Sequence, residues 1–200
     1  KLMNNVILVN GKKRSGKDYI SDLIKQKKKK NGKKVIKFSF ADPIKEILCK
    51  TFGIDLESLN DFKNNPEKYP LILANTKDQV AGVIDFRYIL TRFGDDAMKS
   101  VFGKNVWVNL AISKIKELRD EYDVVIISDL RVPEEYMGIR GFKLIDFFNL
   151  ITIKINNDDC ENYSHRTEMD LDILWDYVLD NTGNKVKVET LGTLINNMLK

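Results

Sequence analysis

The sequence has little histidine, cysteine or proline: one, two and four residues among 200. The histidine, His165, sits in a polar stretch beside Arg166 and Glu168, where a lone imidazole is usually structural or simply exposed. Cys49 and Cys160 are too few for a disulfide framework or a metal-thiolate site. No segment reads as a secretory signal or a membrane span, so the expected setting is a reducing cytoplasmic one, with no membrane partner. The excess of basic residues is small, 33 Lys and Arg against 29 Asp and Glu. Its most visible run, Lys25 to Lys34, lacks interleaved aromatics on which bases could stack, so it reads as a solvated helix end and not as a nucleic-acid surface. Core material is plentiful. At 43% hydrophobic residues the chain suits one domain, expected over residues 3–200, with Lys1 and Leu2 ahead of Met3 reading as an expression remnant.

The richest stretch is VILVNGKKRSGKD, Val6 to Asp18. Val6 to Val9 suit a strand covered on both faces, and Asp18 to Lys25 repeats apolar residues at helical spacing through Tyr19, Ile20, Leu23 and Ile24. Between them Gly11, Gly16 and Lys17 match G-x-x-x-x-G-K, a loop that wraps backbone N–H groups round a phosphate and adds a mobile ammonium. Asp18 stands where Ser or Thr normally ligates Mg²⁺. Its carboxylate can serve the metal directly or through water, and it also suits a helix start. The plainer alternative is a glycine-rich turn that caps a helix and leaves Lys17 solvated.

Further on, Val35 to Phe40 reads as a strand, and Asp42 as the N-cap of a helix that has Pro43 in its first turn and ends at Gly53. At a strand exit beside a phosphate loop, Asp42 could equally face substrate. Asp55 to Val83 is weakly periodic and reads as an excursion or lid-like insertion within a substrate-side block around residues 55–105. Helical spacing resumes from Phe86 to Phe93, Gly94-Asp95-Asp96 interrupts it, and Leu110 to Leu118 forms another helix. The strand Asp123 to Ser128 delivers Asp129 and Arg131 at its carboxyl end, where open α/β sheets bind ligands. An acid there can hold Mg²⁺ or its waters, and the arginine can reach a phosphoryl group; the alternative is a surface ion pair of little worth. A helix from Glu134 to Gly141, strands around Phe142 to Phe148 and Leu150 to Ile155, a strand Tyr177 to Leu179, a turn Asp180 to Gly183 and a helix from Glu189 complete an alternating pattern. It favours a mainly parallel sheet with helices on both faces.

GKKRSGKD, FADPIKE, FRYILTRFGDD with KNVWVNLA, ISDLRVPEE, HRTE and DNTG occur here in the order seen in bacteriophage-type deoxynucleoside monophosphate kinases, which the chain resembles over nearly its full length. Aspartate after the loop lysine is typical of that group. The resemblance implies a P-loop kinase fold, transfer of the ATP γ-phosphate to a small-molecule deoxynucleoside 5′-monophosphate, Mg²⁺ as cofactor, and a possible homodimer, cytoplasmic or in the host cytoplasm if phage-encoded. It implies that Gly11, Lys12, Lys13, Arg14, Ser15, Gly16 and Lys17 hold the donor phosphates, that Asp18 and Asp129 organise Mg²⁺, and that Lys17, Arg131 and Arg14 stabilise the group in transfer. It assigns Arg87 to the acceptor phosphate, Asp42, Asp96 and Trp107 to the acceptor pocket, His165, Arg166 and Glu168 to a polar lid motif, and Asn181 to Gly183 to the adenine side of ATP.

Animal phosphomevalonate kinases resemble it in the loop, the S-D-x-R strand end and the carboxyl end, while Phe40, Pro43 and the GDD to WVN block are nearer the nucleotide enzymes. Asp95 stands where that family often has threonine. A third possibility, from another class, is an ATP-dependent binding switch that transfers nothing; the acceptor-side cations Arg87 and Arg131 speak against it.

Overall fold

The computed structural model describes residues 5–65, 71–72, 83–84, 86–143, 148–159 and 171–184. They fall into two compact units, one of Lys1–Phe40 with Trp107–Lys200 and one of Ala41–Val106.

The first unit is built on strands β1 (Asn5–Gly11), β2 (Val35–Phe38), β5 (Val124–Leu130), β6 (Asn149–Asn156) and β7 (Tyr177–Asp180), in the spatial order β2-β5-β1-β6-β7. Each neighbouring pair is parallel. Val6 to Val9 are fully buried because both faces of β1 are covered. On one face Ile7 and Val9 join Ile126 of β5, Ile153 of β6, and Ile20 and Ile24, which lie one turn apart on helix α1 (Lys17–Lys30). On the other, Val6 and Leu8 pack with Val125 and Ile127, with Ala111 and Ile115 of helix α6 (Val106–Leu118), and with Ile139 and Phe142 of helix α7 (Pro133–Lys143). Period two in the strands and period 3.6 in the helices thus meet in two cores, and each buried aliphatic side chain contributes about 1.5–3 kcal/mol. The chain winds to one side of β1 through β2 and β5 and then crosses to β6 and β7 on the other, so a ligand crevice is expected at the carboxyl end of β1.

The second unit carries helices α2 (Asp42–Phe52) and α3 (Leu56–Asn64), a short antiparallel pair β3 (Leu71–Ile72) and β4 (Val83–Ile84), and a helical run of α4 (Phe86–Thr91), a π-helix (Arg92–Met98) and α5 (Lys99–Phe102). Its core is aromatic: the Phe86 ring lies 5.3 Å from that of Phe52 and 5.2 Å from that of Phe62, beside buried Leu59.

The stretch after Asp55 begins with α3, whose N-cap is Asp55 itself, accepting the Ser58 N–H at 2.7 Å. Three expectations from sequence are corrected. Gly94-Asp95-Asp96 does not interrupt the helix; the backbone widens into π turns there, and the ion pairs Arg92 to Asp96 and Lys99 to Asp95 span them. Phe142 extends α7 and faces the core, so it is no strand residue. The basic run is not wholly solvated: α1 continues to Lys30, and Lys28 is fully buried, its Nζ without a hydrogen-bond partner among the described residues. Burial, and next the Lys33 charge, lower its pKa from 10.5 to about 8. The expected helix from Glu189 lies outside the described residues.

Candidate functional site

β1 ends at Gly11 and α1 begins at Lys17, so the loop between them sits at the carboxyl edge of the central strand. Gly11 has no room for a side chain: a Cβ there would lie 2.4 Å from Ser15 Oγ and 3.1 Å from the Ile155 carbonyl. The Ser15 N–H donates to Lys12 O at 3.1 Å and closes the turn. Arg14, exposed, takes φ 65°, a left-handed conformation that costs a non-glycine residue about 1–2 kcal/mol. Gly16 follows at φ 87° as the N-cap of α1. Having no side chain, it offers the first turn no capping oxygen of its own, and the positive end of the helix dipole there suits an anion. Lys17 and Asp18 open the helix, Asp18 exposed, while Ser21 Oγ donates to Lys17 O at 2.7 Å.

The strand end bearing Asp129 and Arg131 lies alongside. Asn10 Nδ2 donates to the Leu130 carbonyl at 2.8 Å, tying the loop's entry to β5. The register between the two strands runs Leu8 to Ile127 and then Asn10 to Leu130, so β5 carries one extra residue, a bulge at Ser128 and Asp129. Leu130 thereby keeps the core face that Ile127 holds. Asp129 is buried, and its Oδ1 accepts the Phe40 N–H at 2.7 Å.

Glu135, to which the sequence reading gave no role, accepts the N–H groups of Arg131 at 2.7 Å and Val132 at 3.2 Å on one oxygen, Oε2. It fixes the turn from β5 into α7. Burial and then the Asp129 carboxylate push its carboxyl up to about 8, against the pull of those two N–H groups and Arg131. A cavity of about 230 Å³ next to the loop's entry is lined by Asn10, Lys12, Lys154, Asn156, Asn157 and Asp158; the last four were likewise unassigned.

The turn after β7 completes the group. Asn181 Nδ2 donates to the Ser15 carbonyl at 2.9 Å, and Gly183, at φ 67°, donates its N–H to Asp159 Oδ2 at 2.7 Å. The structure therefore brings together the loop from Gly11 to Asp18, the strand end Asp129 to Arg131, and Asn181 with Gly183. Trp107 is also in this unit, near the start of α6 and 6% exposed. For Mg²⁺, Asp18 and Asp129 supply hard oxygen donors. Among the described residues there is no group of three or more His, Cys, Asp or Glu that could hold a metal ion.

In the second unit, Asp42 is not the N-cap of α2, as the sequence suggested: Ala41 is, and Asp42, the first helical residue, pairs with Lys45 Nζ at 3.0 Å. Asp42 and Lys45 line a cavity of about 310 Å³ with Glu46, Cys49, Lys50 and Leu56. Arg87 lies half-buried on α4, and Asp96, exposed on the π-helix, pairs with Arg92. His165, Arg166 and Glu168 lie outside the described residues, as does Cys160. No described helix is long and apolar enough to cross a membrane.

Comparison with known proteins supports the fold. The family model for phosphomevalonate kinase matches residues 9–82. No curated protein matches the chain in sequence. Among solved structures, a putative kinase from Chloroflexus aurantiacus is 12% identical with a TM-score of 0.52, over 99% of this chain and 97% of that one. The Mycobacterium tuberculosis APS kinase, solved in complex with AMPPNP and APS, is 9% identical with a TM-score of 0.51, over 100% of this chain and 99% of that one. With the five-stranded parallel sheet covered on both faces, these likenesses establish an α/β P-loop kinase fold.

Proposed function

We propose that the protein is an ATP-dependent phosphotransferase whose acceptor is a phosphomonoester, a deoxynucleoside 5′-monophosphate. The observation that carries phosphoryl transfer is the side-by-side placement of the left-handed Gly16 loop and the Asp129 to Arg131 strand end, joined through Asn10 and Leu130. A turn that merely capped α1 would have no need of a bulged, buried acid on the neighbouring strand.

In this reading the loop from Gly11 to Lys17 holds the donor phosphates, with Lys12, Lys13 and Ser15 among its members and Lys17 and Arg14 as its cations. Asp18 and Asp129 hold Mg²⁺ and its waters, the ion supplying charge neutralisation at the phosphate oxygens when bound. Arg87 binds the acceptor phosphate, one of whose oxygens attacks the γ-phosphorus as the bond to the β-γ bridging oxygen breaks and ADP leaves. The acceptor is already anionic near neutral pH, so no side chain need remove a proton. Alignment and charge stabilisation remain, and Arg131 serves the second by facing the phosphoryl group in flight. Asp42, Asp96 and Trp107 shape the acceptor side, and His165 and Glu168 belong to its lid.

The order of motifs from GKKRSGKD to DNTG supports the nucleotide acceptor. The family match over residues 9–82 favours a second reading, phosphomevalonate as acceptor. ADP release with ATP and Mg²⁺ decides between them, measured against dTMP, dGMP, dCMP, dAMP, their ribose counterparts and phosphomevalonate, with products weighed by mass spectrometry. Turnover of a deoxynucleotide establishes the first reading, and turnover of phosphomevalonate alone replaces it with the second. Silence across the panel with ATP still bound points to the binding switch. In an active enzyme, Arg87→Ala is expected to weaken the acceptor while leaving ATP affinity unchanged.

A further inference from the structure

The phosphate loop is held in shape by a side chain 166 positions away in sequence. Asn181 is only 4% exposed, so its carboxamide is not spent on water. Its Nδ2 donates to the Ser15 carbonyl at 2.9 Å, and its backbone N–H donates to the Asn156 carbonyl at 2.7 Å. The turn that bears it is braced in its own right: Thr182 N–H donates to Asp180 Oδ1 at 2.8 Å, Asp158 N–H to Thr182 Oγ1 at 3.1 Å, and Gly183 N–H to Asp159 Oδ2 at 2.7 Å. The carboxamide is therefore offered to the loop from a fixed platform on the last strand of the sheet.

A trans peptide points its C=O and N–H in opposite directions, and none of the described peptide bonds is cis. Holding the Ser15 carbonyl towards Asn181 thus turns the N–H of Gly16 away from it. Gly16 takes part in the same arrangement, because a Cβ on this residue would lie 2.4 Å from Asn181 Nδ2. The amide fills the room that the glycine leaves, and the left-handed φ of 87° and the hydrogen bond are two sides of one fit.

We propose that Asn181 is a positioning residue: it orients the Ser15 to Gly16 peptide so that the loop meets phosphates already formed, and it acts on the phosphate part of the donor and not on the nucleoside. The inference rests on the loop being the phosphate site, as proposed above. Without the donor, the Ser15 carbonyl loses its partner and the peptide is free to rotate, so part of the binding free energy goes into re-forming the loop.

Asn181→Ala removes the donor; Asn181→Asp keeps the shape and replaces the donor with an acceptor, and decides the matter if the alanine variant does not fold. Calorimetric titration of each variant and the parent with ATP, inorganic tripolyphosphate and adenosine separates the two parts of the ligand. The expected result is a loss of about 10- to 100-fold for ATP and the same factor for tripolyphosphate, with adenosine unchanged. In the ligand-free protein, hydrogen exchange should quicken at the Ser15 and Ile20 amides, which donate to Lys12 and Gly16, by more than the fall in global stability read from the unfolding midpoint accounts for. Weaker ATP binding with tripolyphosphate unaffected would overturn the proposal in favour of a nucleoside contact, and unchanged loop exchange with unchanged affinities would overturn it outright. The exchange is read without ligand or acceptor, so it decides the role of Asn181 even in a protein that transfers no phosphate, an outcome that would count against the phosphotransferase reading alone.

Discussion

Around the loop, residues are held by partners far along the chain: Asn10 by Leu130, Phe40 by Asp129, Ser15 by Asn181. In the unit from Ala41 to Val106, three ion pairs join neighbours on their own helical turn: Asp42 to Lys45, Asp96 to Arg92, Asp95 to Lys99. A long-range hydrogen bond in the sheet unit breaks only if two elements part, whereas a pair three or four residues apart re-forms with the helix and is worth about 0.2–0.5 kcal/mol. The loop region of the sheet unit is built to stay as it is. In the unit from Ala41 to Val106, single charged side chains of such pairs can be exchanged without disturbing the helices that carry them.

The largest effect that would sharpen this contrast is at Lys17. Its replacement by alanine should lower turnover by about 10²- to 10³-fold with the unfolding midpoint unmoved, by analogy with removal of one preorganised donor to a developing charge; unchanged turnover would remove the loop from the mechanism. Gly16→Ala comes next, forcing a side chain into the left-handed region and onto Asn181, with an expected loss of about 1–3 kcal/mol in urea unfolding and weakened ATP binding together. If stability fell but ATP binding did not, the interlock with Asn181 would have no bearing on the ligand.

Lys28→Met should do the opposite and stabilise the protein by about 1–3 kcal/mol at pH 7. With the pKa lowered from 10.5 to about 8 in the folded protein, the buried amine carries its full penalty below pH 8. The penalty shrinks between pH 8 and 10.5, because the folded state releases the proton before the unfolded state does, and above that range it is gone. The advantage of the methionine variant should therefore narrow from pH 7 to pH 9.5, read from urea midpoints at both. The smallest effect is expected at Asp96→Asn, which breaks an exposed pair with Arg92 and should change stability by less than about 0.5 kcal/mol. A shift above 1 kcal/mol would show that the second unit is not locally held after all.

Much of the sheet unit was legible because its signals are unambiguous. Val6 to Val9 and Val124 to Ile127 are apolar, largely β-branched runs of strand length, and Ile20 with Ile24 declares the buried face of α1, although Tyr19, read on the same face, is exposed. The loop was legible from two glycines and a lysine, since a backbone cradle demands those residue types. The Ser128 to Asp129 bulge was not, because a one-residue register shift depends on the partner strand and leaves no trace in local composition. Glu135 left a trace that went unused: Pro133 opens α7 and a glutamate stands two residues on, where its carboxylate reaches back to the N–H groups ahead of the helix. Gly94-Asp95-Asp96 misled because glycine and aspartate usually stop a helix, whereas here the Arg92 to Asp96 and Asp95 to Lys99 pairs carry the helix through. Lys28 misled for the opposite reason: one lysine among many was read by its neighbours' habits.

The central place of β1 also governs how the molecule is made. Asn5 pairs with Val124 on one side and Asn149 on the other, so β1 is synthesised well before either of its strand partners. At about 5–20 residues per second, the VILV segment waits roughly ten seconds for β5 and a little longer for β6. During that interval the future centre of the core is an apolar strand with two open edges, and α1 is the described element available to cover one of its faces.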